Sequence, residues 1–86
     1  MTESEREGRG VTVLLFGHAA EVAGWSSRAV TATNVADLRR WLVAGTQALQ
    51  PLADSLLVAV DAEYVSDDFE LQGGEEVAFF PPVSGG

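Results

Sequence analysis

The spacing of apolar and polar residues changes several times along the chain, and each change marks an element. Residues 11–16 (VTVLLF) are apolar at nearly every position and β-branched at their start, the pattern of a central strand with two apolar faces. Gly17 ends this run, and residues 18–24 (HAAEVAG) read as a short helix or a turn closed by Gly24. Residues 28–32 (RAVTA) alternate and predict a second strand, turned back on the first as a hairpin. Asn34 then suits a helix N-cap, and Asp37 falls in the first turn, where a carboxylate complements the helix dipole. Val35, Leu38, Trp41 and Leu42 share one helical stripe, with Arg39 and Arg40 off it, and this main helix ends near Gly45. Residues 46–55, interrupted by Pro51, read as irregular.

Residues 56–60 (LLVAV) predict a third strand, and residues 61–63 a turn into a short segment at Tyr64 and Val65. Residues 66–72 carry Asp67, Asp68 and Glu70 without the spacing or the glycine of a calcium loop, so they read as a solvated acidic loop. Gly73 and Gly74 turn the chain into a last strand over residues 76–80. The order strand, strand, helix, strand, short strand, strand predicts an α+β roll: a mixed sheet with one main helix packed across it. The first and last strands, apolar on both flanks, are expected side by side in the centre. Residues 1–10 read as a disordered leader, residues 11–80 as the domain and residues 81–86 as a flexible functional tail.

That tail carries the most pointed chemistry. Pro81 and Pro82 cannot donate ladder hydrogen bonds, so the strand must stop at Phe80 and the chain must leave it extended. Val83, Ser84, Gly85 and Gly86 follow, and the last two have no side chain. Such a segment reaches up to roughly 20 Å from the body at about 3.3 Å per residue. It suits a narrow tunnel in another protein, into which it would deliver a bare carboxylate. Phe80, where strand passes to tail, is read either as a core residue or, with Tyr64, as an aromatic docking anchor.

Composition narrows the field. A chain of 86 residues has room for one small core and no enclosed active site besides. With no cysteine, disulfides, thiolate metal sites, a persulfide and a cysteine nucleophile are excluded. A net charge of −8 argues against nucleic acid and anionic membrane as partners. No secretion signal is apparent, so a cytoplasmic location is expected. All five basic residues are arginine. His18, the one histidine, has no evident orienting partner and reads as a surface residue. There is no phosphate-binding glycine loop, no Ser-His-Asp set and no metal-ligand set.

Three stretches, residues 11–24 (VTVLLFGHAAEVAG), 34–42 (NVADLRRWL) and above all 73–86 (GGEEVAFFPPVSGG), resemble the small subunit of molybdopterin synthase, a ubiquitin-like β-grasp sulfur-carrier family. The resemblance spans nearly everything after the leader. It implies that the carboxylate of Gly86 is adenylated by an ATP-dependent, ubiquitin-activating-like enzyme and converted with a sulfur donor to a thiocarboxylate. The tail, Pro81 to Gly86, then enters the large synthase subunit and passes sulfur to a cyclic pyranopterin precursor. It further implies a heterotetramer of two small and two large subunits, with no cofactor on this chain, ATP being used by the activating partner. The small subunit would be a non-catalytic sulfur donor within a transferase. Two alternatives remain: a sulfur carrier for thiamine or tRNA thiolation, with the same tail chemistry, and, from a different class, a ubiquitin-like modifier that joins Gly86 to lysines of other proteins.

Overall fold

Strand β1 (Arg9–Leu15) points Val11, Val13 and Leu15 to one face and buries all three. It is the hub of a five-stranded sheet in a computed structural model that describes residues 8–82. On one side β1 pairs antiparallel with β2 (Ser27–Ala32), Val11 standing opposite Val30. On the other it pairs parallel with β5 (Glu76–Phe80), with Val13 opposite Val77 and Leu15 opposite Phe79. β5 pairs antiparallel with β3 (Leu57–Val60), and the two-residue β4 (Glu63–Tyr64) closes the far edge. The order β2-β1-β5-β3-β4 places the first and last strands side by side in the middle, as their apolar runs predict. Only one face of these strands is sealed, however. Leu14, Ala78 and Phe80 on the other face are half-buried, because no helix among the described residues covers them.

The sealed face carries the main helix. Helix α1 (Gly17–Ala23) links β1 to β2 and stops at Gly24, whose φ of 84° lets its N–H donate to the Ala20 carbonyl at 2.9 Å. Helix α2 (Val35–Gly45) then crosses the sheet and buries Val35, Leu38 and Leu42. Asn34 caps it, its side-chain oxygen accepting the Asp37 N–H at 2.8 Å. The Asp37 carboxylate accepts in turn from the Thr33 hydroxyl, and that bond holds its pKa below the ordinary carboxylate value, with Arg40 adding to the effect. Trp41 lies at the rim of the stripe, half-buried, its ring edge-on to Trp25 at 5.8 Å.

Two segments differ from the reading of the sequence. Residues 8–10 are not leader: Gly8 is buried and β1 starts at Arg9, with the Gly74 N–H donating to the Gly10 carbonyl at 2.8 Å. Backbone pairing needs no apolar side chain, so side-chain patterning cannot mark its limit. The rest of the expected leader, residues 1–7, lies outside the described residues. The segment around Pro51 is not irregular either. A single 3₁₀ turn (Gln47–Leu49) runs into helix α3 (Gln50–Ala53), and Pro51 sits in its first turn, where the missing N–H would have had no partner. Leu49 and Ala53 are buried there.

One polar side chain knits these pieces together. Arg39 is off the apolar stripe, yet its side chain is only 15% exposed. Nε and Nη2 donate to the Asp67 carboxylate at 2.9 and 2.7 Å, and Nη1 donates to the carbonyls of Ala53 and Leu56. The bidentate pairing fixes the acidic loop against α2, and Nη1 satisfies carbonyls on the path from α3 to β3. Before β5, Glu75 performs a similar task. Its two carboxylate oxygens accept the N–H groups of Gln72 and Gly73, each at 2.7 Å, and so hold the turn in which Gly73 and Gly74 take positive φ.

Candidate functional site: the tail exit and the outer sheet face

β5 alternates Phe79 and Phe80 between the two faces, and this decides what each does. Phe79 points inward and is fully buried, while Phe80 lies half-buried on the outer face. Of the two readings of Phe80, core or surface anchor, the fold supports the surface position, with Phe79 filling the core in its place. β5 ends at Phe80, where the two prolines follow. Pro81 is half-buried and Pro82 exposed. The other tail residues expected to matter, Val83, Ser84, Gly85 and Gly86, lie outside the described residues.

Tyr64, expected as a second anchor, is 73% exposed, and its ring centroid stands 5.7 Å from that of Phe80. The rings come from β4 and β5, on either side of β3. Ala59 on β3 faces Tyr64 on one side and Ala78 on the other, and its single methyl leaves the rings room to meet. The fold thus brings together the two aromatic residues singled out in the sequence and sets them where the chain leaves the sheet.

It adds two neighbours that the sequence reading did not single out. Leu57 stands opposite Phe80 on β3 and is exposed. Phe16, just past β1, is 49% exposed, and its N–H donates to the Phe79 carbonyl at 3.2 Å. A signal for both was present. Alternation from buried Val11, Val13 and Leu15 sends Phe16 outward, and alternation from Val58 and Val60 does the same for Leu57. Because β1 and β5 are parallel, Phe16 and Phe80 emerge at the same end of the sheet. At the end of the outer face where the tail leaves, Phe16, Leu57, Tyr64 and Phe80 therefore gather as an apolar, largely aromatic patch.

Elsewhere the described residues hold no rival constellation. His18 is exposed on α1, and its hydrogen-bond partner is Glu21, at 3.4 Å, rather than a hydroxyl. No group of three or more metal-ligating side chains occurs among the described residues. A groove of about 450 Å³ between α2 and α3 is lined by Arg39, Asp67 and Gln50 among others, but the Arg39 donors are already engaged within the fold. No helix among the described residues is long and apolar enough to cross a membrane.

A family model described as the ThiS family matches residues 13–86, from the second half of β1 through the other strands to the end of the tail. The chain belongs to the ThiS family. Among curated members, the molybdopterin synthase sulfur carrier subunit of Escherichia coli (strain K12) is 40% identical over 80 residues, covering 88% of this chain and 99% of that protein. The subunit of the same name from Caenorhabditis elegans is 35% identical over 81 residues, covering 88% and 96%. Among solved structures, the small archaeal modifier protein 1 of Haloferax volcanii is 29% identical with a TM-score of 0.78, covering 88% of this chain and all of that one. The architecture of this ThiS-family chain is accordingly the ubiquitin-like β-grasp that the sequence resemblance implied.

Proposed function

We propose that this chain is the sulfur carrier subunit of a molybdopterin synthase, acting in the cytoplasm. The observation that carries the reading is the match to subunits of that name over 96–99% of their length, with the family model running through Gly86. The fold fits it: a rigid central strand delivers the chain to Pro81 and Pro82, with an aromatic surface around the exit.

In this reading the Gly86 carboxylate attacks the α-phosphorus of ATP on a ubiquitin-activating-like enzyme and releases pyrophosphate. Sulfur from a donor displaces AMP and leaves a C-terminal thiocarboxylate. Activation is required because a carboxylate is a poor electrophile, and glycine suits the end because no Cβ shields its carbonyl. The tail, Pro81, Pro82, Val83, Ser84, Gly85 and Gly86, then enters the large synthase subunit, where the thiocarboxylate passes its sulfur to a pyranopterin precursor. Phe80 and Tyr64 dock on that subunit, in an assembly of two small and two large chains. The chain supplies the sulfur, and the residues that catalyse each step belong to its partners. It binds no cofactor or metal of its own.

Likeness to an archaeal modifier protein favours a second reading, conjugation of Gly86 to lysines of other proteins. One experiment separates the two. Incubated with activating enzyme, ATP and a sulfur donor, the chain should gain the mass difference between sulfur and oxygen, mapped to its C-terminal peptide. Delivery of that sulfur to a pyranopterin, with no isopeptide adducts, supports the carrier. Adducts on other proteins and no thiocarboxylate overturn it.

A further inference from the structure

A glycine also stands beside the base of the tail. Gly17 opens α1 with a φ of 60°, in the left-handed region. A Cβ built on it would lie 3.3 Å from Cγ and 3.5 Å from Cδ of Pro81. The approach is across the sheet end: β1 and β5 run parallel with Leu15 opposite Phe79, so Gly17 and Pro81, each two residues beyond that pair, emerge side by side. The Phe16 N–H, donated to the Phe79 carbonyl, ties the strand ends together one residue earlier. Pro81 is therefore hemmed in. Its own ring fixes φ, Phe79 anchors the strand from the core, and Gly17 stands close enough that an added Cβ would press on the ring.

We infer that Gly17 is a positioning residue for sulfur transfer: its lack of a side chain sets the direction in which the chain leaves β5 at Pro81. The inference rests on the sulfur-carrier reading and goes beyond it, because it places a determinant of transfer in the β1–α1 junction rather than in the tail. A methyl at Gly17 must push the proline ring by a few tenths of an ångström, or tilt α1. Gly86 lies five residues beyond Pro81, so the point and direction at which the chain leaves β5, relative to Phe80 and Tyr64, set where its terminus can reach. Reacting atoms tolerate about 1 Å of misplacement before rates fall by roughly 100-fold.

Gly24 provides a matched control at the other end of the same helix. Its φ is 84°, so alanine there meets the same backbone penalty, but an added Cβ finds nothing within 4 Å. Gly17→Ala and Gly24→Ala chains, each first converted to the thiocarboxylate, are assayed with the large subunit and pyranopterin. Both variants should lose a similar amount of thermal stability. Gly17→Ala should slow the single-turnover transfer step by about 10-fold or more, with affinity for the large subunit within about twofold of wild type, whereas Gly24→Ala should transfer at the wild-type rate. If Gly17→Ala folds too weakly to assay, Gly17→Asn sets the same Cβ against Pro81 with a residue that accepts left-handed φ. Equal transfer by the Gly17 and Gly24 variants beside an active wild type overturns the role of Gly17 alone. A wild-type chain that never acquires sulfur overturns the carrier reading, and this inference with it.

Discussion

Tyr64 and Phe80 meet on the outer face of the sheet with ring centroids 5.7 Å apart and planes inclined at 57°. They come from strands that are not neighbours, with β3 between them, and both leave ring surface open to solvent. Such a pair adds little to the core but presents a broad, rigid aromatic surface.

From this follows a separation of binding from folding. Phe80→Ala should weaken association with the large subunit by on the order of 2 kcal/mol if Phe80 is the anchor of the interface. Phe79→Ala, one residue away on the buried face, should instead cost about 3–5 kcal/mol of folding stability. Titration calorimetry and denaturant unfolding on the two variants distinguish these losses. A Phe80→Ala chain that binds normally would remove the anchor role.

Glu75 sets an acid limit on stability. Burial pushes its carboxyl up, but the N–H bonds from Gln72 and Gly73 outweigh that and bring the pKa below the ordinary 4.5. A depressed folded-state pKa gives stability that is present above the unfolded value and lost as pH falls through the folded one. The loss should therefore begin near pH 4.5 and deepen below it. Glu75→Gln turns an amide NH₂ toward one of the two donors and should cost about 1–3 kcal/mol at neutral pH. Its unfolding free energy should also fall less steeply below pH 4.5, with Asp37, likewise depressed, supplying part of the remaining slope. Unfolding curves at several pH values measure both effects.

Arg39 and Asp67 should not be equivalent, although they form one ion pair. Removing Arg39 takes the side-chain donor from the Leu56 carbonyl and from Asp67, and leaves the Ala53 carbonyl with only the long Leu56 N–H bond at 3.4 Å, so Arg39→Ala should cost about 2–3 kcal/mol. Asp67 is 47% exposed, and its loss leaves Arg39 still bonded to both carbonyls, so Asp67→Ala should cost about 1 kcal/mol or less. Arg39→Lys should recover little, because an ammonium cannot span the carboxylate and both carbonyls. Chemical denaturation of the three variants checks the order.

The absence of lysine bears on what can attack the activated terminus. An acyl adenylate reacts with a nearby amine, and arginine stays protonated and cannot replace one. Incubated with activating enzyme and ATP but no sulfur donor, the chain should form no ladder of covalent multimers. Denaturing electrophoresis reads the result, and a ladder would favour the modifier reading.

What the sequence made legible divides along a physical line. Strands and the main helix are written as hydrophobic period, and β1, β2, α2, β3 and β5 follow it to within a residue or two. The Asn34 cap and the turn at Gly73 and Gly74 are written as local backbone chemistry. Arg39 escaped both codes, since its partners lie 14 to 28 residues away and an arginine off the apolar stripe looks like any solvated one. Pro51 was misleading because the same residue breaks a helix interior and begins a new one. At the site, Phe80 and Tyr64 were visible as aromatics beside a proline exit and a turn. Phe16 and Leu57 were hidden within strand-like runs, and the Gly17–Pro81 contact depends on a parallel pairing that no local pattern encodes.

The central position of β5 also governs how the molecule bears load. A strand at an edge, such as β2 or β4, can be peeled away one hydrogen bond at a time. β5 is bonded to β1 on one side and β3 on the other, and Pro81 and Pro82 follow it directly. Traction applied to the tail therefore loads both ladders in shear, and their bonds must give way together. A pull on this end, whether from a binding partner or from an unfolding motor, falls on the strand of the sheet most resistant to it.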